Sequence, residues 1–299
     1  MLTVNPVDII LWTFRRNEID VIKLYNSLSP IMQVATGANM LNFGYWEGNI
    51  TSPVEAQSNL CSFVGRLADL GSSQTVIDVG SGFGEPALQW TREYRLRNII
   101  CVNINYQQLV NGLKISSIKT DEERVLNNGD SISDITCVNS TSLSLPLASG
   151  TVDRIIALES AQHFKPLDRF IEESYRILQP KGLLVIAIPV TVPFHNVLIK
   201  LFKLGILNMT WTSEHYELEY VKSAIRRHKF KIMNVTTIGT KVYEPLALYY
   251  IQHRKELREK IMTHYPSYIE KILSISLAKM MDVSKKGLID YLILKAQKI

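Results

Sequence analysis

Cysteine is scarce in this chain, and the three present, Cys61, Cys101 and Cys137, fall at no paired spacing. An odd number so placed argues against a disulfide framework or a cysteine-built zinc site. Cys101 and Cys137 lie inside apolar, strand-like runs, where a free thiol commonly serves as a small core residue. The six histidines show no HxxxH or HExxH spacing, so no protein-bound catalytic metal is expected. Long hydrophobic runs are missing too. The longest, LLVIAIPVTVPF from Leu183, is interrupted by prolines and falls short of the roughly 20 residues that cross a bilayer. The start, MLTVNPVDIILWTFRR, has no basic leading region and carries Asp8 within its apolar part, which makes a poor secretory signal. Together these absences predict a cytoplasmic protein without stable membrane insertion. There is no internal repeat and no low-complexity tract.

What is present is a chain of 299 residues, 46% apolar and 20% charged, enough to bury a large core. Its net charge of +5 is modest, and the basic residues come in short groups, IRRHKFK near Arg226 and QHRKELREK near Arg254. These read as solvated helix faces; a phosphate-bearing substrate or an anionic surface is the sharper alternative, and nucleic acid is not an expected partner. A phosphate-bearing substrate would give Arg226, Arg227 and Lys229 a use.

From Gln74 onward, short β-rich runs alternate with amphipathic stretches, the pattern of a parallel sheet flanked by helices. Strands are predicted over Thr75–Val79, Asn98–Asn103, Ile135–Val138, Val152–Leu158, Leu183–Ile188, Lys231–Ile238 and Leu288–Ala296. The expected fold class is α/β, an open, doubly wound, seven-stranded sheet. Val7, Ile10, Leu11 and Phe14, then Val21, Ile22, Tyr25 and Leu28, recur at helical spacing and predict two amphipathic helices before the sheet. A helical region is expected from His195 to His228. Another, about forty residues between Tyr243 and Asp282, is too long for a plain connection and carries Ile269, Ile272, Leu273 and Leu277 on one side. One integrated domain is expected: residues 1–50 a helical lid segment, 51–190 the ligand-binding core, and 191–299 the remaining strands with helical cover insertions.

The stretch VIDVGSGFGEPALQW, Val76 to Trp90, is the most informative. A buried strand ending in Asp78 and followed by Gly80, Gly82 and Gly84 puts a tight turn at the carboxyl edge of the sheet, where open α/β folds bind ligands. Glycine lets a ligand approach the backbone closely. A dinucleotide fingerprint needs a further glycine where Glu85 stands, and no Gly-Lys-Ser/Thr closes the loop as a P-loop requires.

The spacing Asp-x-Gly-x-Gly-x-Gly resembles the first motif of class I methyltransferases that use S-adenosylmethionine. MLNFGYWEGN, Met40 to Asn49, resembles the segment before the core in a small-molecule branch that methylates sterols, sugars, macrolides and prenyl groups. LSLPLASGTVDRIIALESAQHF, Leu143 to Phe164, is similar to that branch's Leu-Pro-Phe, Phe-Asp and Glu-Ser-x-x-His-Phe pattern. YRILQPKGLLVIA, Tyr175 to Ala187, matches its Arg-Val-Leu-x-Pro-Gly-Gly turn into the fifth strand. The resemblance runs through most of the chain and implies a Rossmann-like sheet binding S-adenosylmethionine, released as S-adenosylhomocysteine.

It also implies cofactor contacts from Asp78, Gly80, Gly82, Gly84, Gln108 and Glu159, with Tyr25 closing over the cofactor. Tyr45 and Trp46 would face the sulfonium as electron-rich rings. Two positions depart from the family. An acidic residue normally ends the second strand and accepts both ribose hydroxyls; Asn103 stands there, a weaker acceptor, with Asn105 nearby to help. Thr141-Ser142 replaces the Asp-Ala pair that flanks the adenine, leaving the Thr141 hydroxyl and the backbone N–H of Ser142 or Leu143 as candidate contacts.

Methyl transfer from a sulfonium is an in-line displacement that needs orientation and exclusion of water rather than a protein nucleophile. His163 is the candidate general base, since a near-neutral imidazole can remove a proton as the acceptor is methylated. Glu159 is assigned to orient it or to pair with developing positive charge. His195, Trp211, His215, Tyr216 and Tyr249, from the helical covers, are candidate acceptor-binding residues. The expected function is methylation of a small, substantially apolar natural-product, isoprenoid or lipid acceptor, at oxygen, nitrogen or carbon. Two alternatives stand beside it: a methylation-triggered cyclase on a prenyl substrate, and a degenerate interaction protein that binds S-adenosylmethionine. A homo-oligomer is compatible with all three.

Overall fold

The computed structural model describes residues 17–115, 135–193, 196–210 and 214–299. Its first helix, α1 (Glu18–Thr36), is capped by Asn17, whose side chain accepts from the Asp20 N–H at 2.9 Å. Then follow α2 (Pro53–Leu67), β1 (Thr75–Val79), α3 (Glu85–Tyr94), β2 (Asn98–Asn103) and a helix over residues 106–115, α4. β3 (Ile135–Asn139), β4 (Val152–Leu158), α5 (Leu167–Ile177) and β5 (Leu178–Thr191) continue the alternation. Beyond it come α6 (Val197–Leu204), α7 (Leu207–Thr210), α8 (Leu218–Arg227), β6 (Phe230–Thr237), α9 (Tyr243–Gln252), α10 (Arg254–His264), α11 (Ser267–Lys285) and β7 (Ile289–Lys298).

The seven strands form one sheet in the order β3-β2-β1-β4-β5-β7-β6. Neighbours from β3 through β5 pair in parallel. Chain order runs outward from β1 through β2 to β3 and then outward through β4 to β5. The switch point, where such sheets bind ligands, therefore falls between β1 and β4. Three strands have their expected limits. β5 differs most, starting at Leu178 rather than Leu183, because Leu178 pairs with Val152 across the segment Gln179–Gly182 that reads locally as a turn.

Two compact units divide the chain: Met1–Asn59 with Pro189–Glu219 and Thr237–Leu292, and Leu60–Ile188 with Tyr220–Thr236 and Ile293–Ile299. In the second unit, Val76, Ile77, Ile155, Ile156 and Leu184 to Ile188 are buried, the continuous apolar runs of strands covered on both faces. α5 buries Leu167, Phe170, Ile171, Ser174 and Ile177, a face set by the 3.6-residue period. Trp90 of α3 is fully buried, and its Nε1–H donates to the Cys61 carbonyl at 2.8 Å.

In the first unit, α1 packs on the helical insertion. Leu24 and Ile31 join Tyr250, Leu257, Ile261, Tyr265 and Ile269 in one cluster, with Tyr25, Leu28, Leu273 and Leu277 against it. The expected inward face of α1 is thus rotated, with Leu24 and Ile31 deeper than Val21 and Ile22. The expected helix around Val7, Ile10, Leu11 and Phe14 lies outside the described residues.

Trp90→Ala removes a fully buried ring and its hydrogen bond to the Cys61 carbonyl. A loss of about 3–5 kcal/mol is expected. Urea denaturation should show it as a lower midpoint at an unchanged slope.

Candidate active site

At the end of β1 the chain turns on three glycines of positive φ, Gly80 (79°), Gly82 (58°) and Gly84 (78°). The N–H groups of Gly80 and Ser81 both donate to the Val102 carbonyl of β2, at 2.7 and 3.2 Å. Gly84 caps α3, its carbonyl accepting from the Leu88 N–H at 3.0 Å. A Cβ on Gly80 would stand 2.3 Å from the Ser160 Cβ, so no larger residue fits. Ser160, just beyond β4, donates its hydroxyl to the Val79 carbonyl at 2.5 Å. Opposite it, a Cβ on Gly112 of α4 would meet the Phe83 carbonyl at 2.1 Å, so α4 lies directly against the bend.

Beneath the bend, Asp78 is 1% exposed and its Oδ2 has no hydrogen-bond partner. Burial raises its carboxyl from the ordinary range to about 7. An acceptor held dry and unmet is costly, and a ligand that donates to it would remove that cost. The neighbouring thiol of Cys101, paired in register with Cys137, is pushed up by its hydrogen bond to Cys137 and by burial. It is therefore inert packing at the bend, as the sequence suggested.

The end of β2 is built from amides. Asn103 donates from Nδ2 to the Gly82 carbonyl at 3.2 Å and to Gln108 Oε1 at 2.9 Å. Both of its donors are spent on protein, and Oδ1 is what the side chain offers a ligand hydroxyl. Asn105 caps α4, its Oδ1 accepting from the Gln108 N–H at 3.3 Å. Asn139 donates to the carbonyls of Asn103 and Ile104, each at 2.9 Å. In the following loop the Leu143 N–H donates to Thr141 Oγ1 at 3.2 Å. Of the two backbone donors expected for an adenine, Leu143 is already engaged locally. Ser142 is buried beside it.

After β4, Glu159 takes a left-handed backbone (φ 50°), uncommon for a residue with a Cβ, and its N–H donates to the Ala187 carbonyl at 2.8 Å. The turn Ala161–His163 brings the Gln162 Nε2 to the Glu159 carbonyl at 2.6 Å and to the His163 Nε2 at 3.4 Å. His163 is half-buried. The second unit thus brings together Asp78, Gly80, Gly82, Gly84, Asn103, Asn105, Gln108, Thr141, Ser142, Leu143, Glu159 and His163 at the carboxyl edge of the parallel strands.

The other expected residues belong to the first unit or lie outside the described residues, as His195 and Trp211 do. Tyr25 packs in the α1 cluster. The Tyr45 hydroxyl donates to Glu47, which also pairs with Lys241. The Tyr45 N–H donates to the Ala56 carbonyl and the Trp46 N–H to the Lys241 carbonyl, both at 2.8 Å. The Trp46 ring lies 5.7 Å from that of Tyr249, which stacks on His253 at 4.1 Å. Trp46 Nε1 is buried without a hydrogen-bond partner. His215 is buried, its carbonyl accepting from Thr191 Oγ1 at 3.1 Å, while the Tyr216 carbonyl accepts from the Thr191 N–H at 3.0 Å.

Arg227, one of the basic residues considered for a phosphate, is held by Asp168 at 2.8 Å, alongside Tyr220 and His228 on the same carboxylate. Sequence reasoning missed Ser160, Gln162, Asn139 and Gly112. Ser160 stands inside the quoted Glu-Ser-x-x-His pattern; the other three carry no local signal.

A profile of the methyltransferase domain matches residues 77–186, from β1 to β5. Erythromycin 3''-O-methyltransferase of Saccharopolyspora erythraea is 24% identical over 176 residues, 59% of this chain and 54% of that protein. The chain spans about half the length of the curated relatives it matches. Among solved structures, the cyclopropane synthase MmaA2 from Mycobacterium tuberculosis superposes with a TM-score of 0.77 at 15% identity, over 95% of this chain and 100% of the other. The cyclase SpnF does so with 0.69 at 21%, over 93% and 95%. At these identities the structural likeness speaks to fold alone. Domain match, strand order and glycine bend agree, and residues 77–186 carry the methyltransferase domain of the class I, S-adenosylmethionine-dependent family.

Proposed function

We propose that this chain transfers a methyl group from S-adenosylmethionine to a small, substantially apolar acceptor. The observation that carries the reading is the unmet, buried Asp78 oxygen beneath a glycine bend at the sheet's switch point. The site fits the cofactor: an acceptor in want of a donor, a bend no Cβ can fill, and an amide oxygen on Asn103. S-adenosylmethionine supplies an activated methyl on its sulfonium. Asp78 accepts from a cofactor donor, Asn103 Oδ1 accepts a ribose hydroxyl, and Gln108 and Asn105 hold Asn103 and α4 in place. Thr141, Ser142 and Leu143 flank the adenine. His163 takes the acceptor's proton, with Glu159 beside it on the same turn.

Roles for Tyr25, Tyr45 and Trp46 at the cofactor, and for His195, Trp211, His215, Tyr216 and Tyr249 at the acceptor, rest on the sequence. So does the reading of residues 1–50 as a lid segment, 51–190 as the core and 191–299 as covers. Macrolides lead the acceptor classes because a curated relative acts on erythromycin.

Calorimetric titration with S-adenosylmethionine and S-adenosylhomocysteine is the first test. A carboxylate accepts more strongly than its protonated form, so affinity is expected to rise as pH rises through about 7. Asp78→Asn should flatten that dependence and weaken binding about tenfold or more. Equal affinity at pH 6 and 8 with no loss in the variant would remove Asp78 from the site.

The same carboxyl makes a prediction for the ligand-free protein. Its raised folded value means that stability is fully present below the ordinary aspartate range, near pH 4, and is lost as pH rises to about 7. Denaturation midpoints across that window should fall for the native chain. They should stay level for Asp78→Asn.

With a panel of macrolide, sterol and prenyl acceptors, His163→Ala is expected to lower kcat about a hundredfold or more while leaving cofactor affinity nearly unchanged. Mass spectrometry of the products separates the rivals. Cofactor binding with no turnover would favour the interaction protein, and several cyclised products from one prenyl substrate would mark the cyclase.

A further inference from the structure

α6 carries apolar side chains on both sides. Leu204, and Leu207 just after it, are fully buried, while Leu198 is 72%, Ile199 43% and Phe202 88% exposed. Leu198 and Phe202 are spaced i, i+4 and Ile199 adjoins them, so the three share one outward stripe. Phe202 is the most exposed large apolar side chain among the described residues. Exposing a ring and a leucine together is costly in water, and neither packs the core.

In sequence the stripe is flanked by bases and not by acids. Residues 174–213 contain no aspartate or glutamate, and α6 itself carries Lys200 and Lys203. Lys200 extends to the His215 carbonyl at 3.3 Å. At the end of the helix, a Cβ on Gly205 would lie 3.5 Å from Cε of Lys279, which also bridges to Asp282 at 3.4 Å. A short apolar stripe bordered by lysine stems is complementary to acyl chains lying beneath anionic headgroups.

We propose that α6 seats this protein reversibly on an anionic phospholipid surface. Leu198, Ile199 and Phe202 enter the acyl boundary while Lys203, exposed at the edge of the stripe, lies toward the headgroups. No described helix is long and apolar enough to cross a membrane, so the seat lies on the bilayer rather than through it. An eight-residue helix buries little area, which makes the attachment weak and salt-sensitive.

Vesicle co-sedimentation of the full chain tests this. Binding is expected to vesicles of equimolar phosphatidylglycerol and phosphatidylcholine at low salt, with release in high salt and none to phosphatidylcholine alone. The double substitution Leu198→Ser with Phe202→Ser should weaken binding about tenfold or more. Lys203→Glu, a second variant that leaves the stripe intact, should weaken it too. Both exchange surface side chains, and thermal melting confirms that each is folded. Absence of binding to anionic vesicles overturns the proposal, as does equal binding to neutral ones or native-like binding by either folded variant. A dimer seen by gel filtration that the double variant splits, in a chain that binds no vesicles, would assign the stripe to a second copy instead.

Discussion

A carboxylate kept out of water at the end of β1 is the constraint on which the candidate site depends. Asp78 is placed there by the sheet, between β2 and β4 in register, and nothing in the described protein meets its second oxygen. Such a group would be removed from an ordinary core. It is held by the bend above it, which is itself held from two sides, by Ser160 against Gly80 and by α4 through Gly112 against Phe83. These contacts have no slack, because each would place atoms inside van der Waals range if a single carbon were added. A bend fixed this way presents its backbone to a ligand without having to reorganise first.

Beside this carboxylate, the ends of β2 and β3 supply neutral groups. Asn103, Asn105, Gln108 and Asn139 satisfy one another and the backbone, and Thr141 satisfies Leu143. An amide network orients well but adds no charge. Of the groups named at the ends of β1, β2 and β3, the carboxyl is that of Asp78, raised by burial to about 7. The amide at position 103 is a departure from the family that the surrounding residues have absorbed, since both of its donors are occupied.

The first unit follows another logic. Its helices close a tyrosine-rich cluster around Leu24, Ile31 and Ile261, and Glu270 is buried with hydrogen bonds from Tyr250 and Arg254. On α6 Leu204 is buried while Leu198, Ile199 and Phe202 are exposed. These three face out as a stripe among lysines, and the chemistry of that stripe matches a lipid surface rather than water.

Much of the fold was legible in the chain itself. Parallel strands covered on both faces leave uninterrupted apolar runs, so β1, β2 and β4 could be read to the residue; Asp78 with its three glycines likewise announced a ligand bend through backbone chemistry alone. β5 was read short because Gln179 to Gly182 look like a turn until Leu178 is paired with Val152. The buried face of α1 was read in part: Tyr25 and Leu28 do pack on the cluster, while Leu24 and Ile31 lie deeper because the partners, α10 and α11, lie far along the chain. Only the tertiary structure decided which groups in the site are spent and which are not. Ser160 reaches the Val79 carbonyl across 81 positions, and Asn103 exhausts its donors on Gly82 and Gln108. Periodicity and turn preference act between near neighbours, whereas a clash at a missing Cβ or an unmet oxygen is set by residues that only folding brings close.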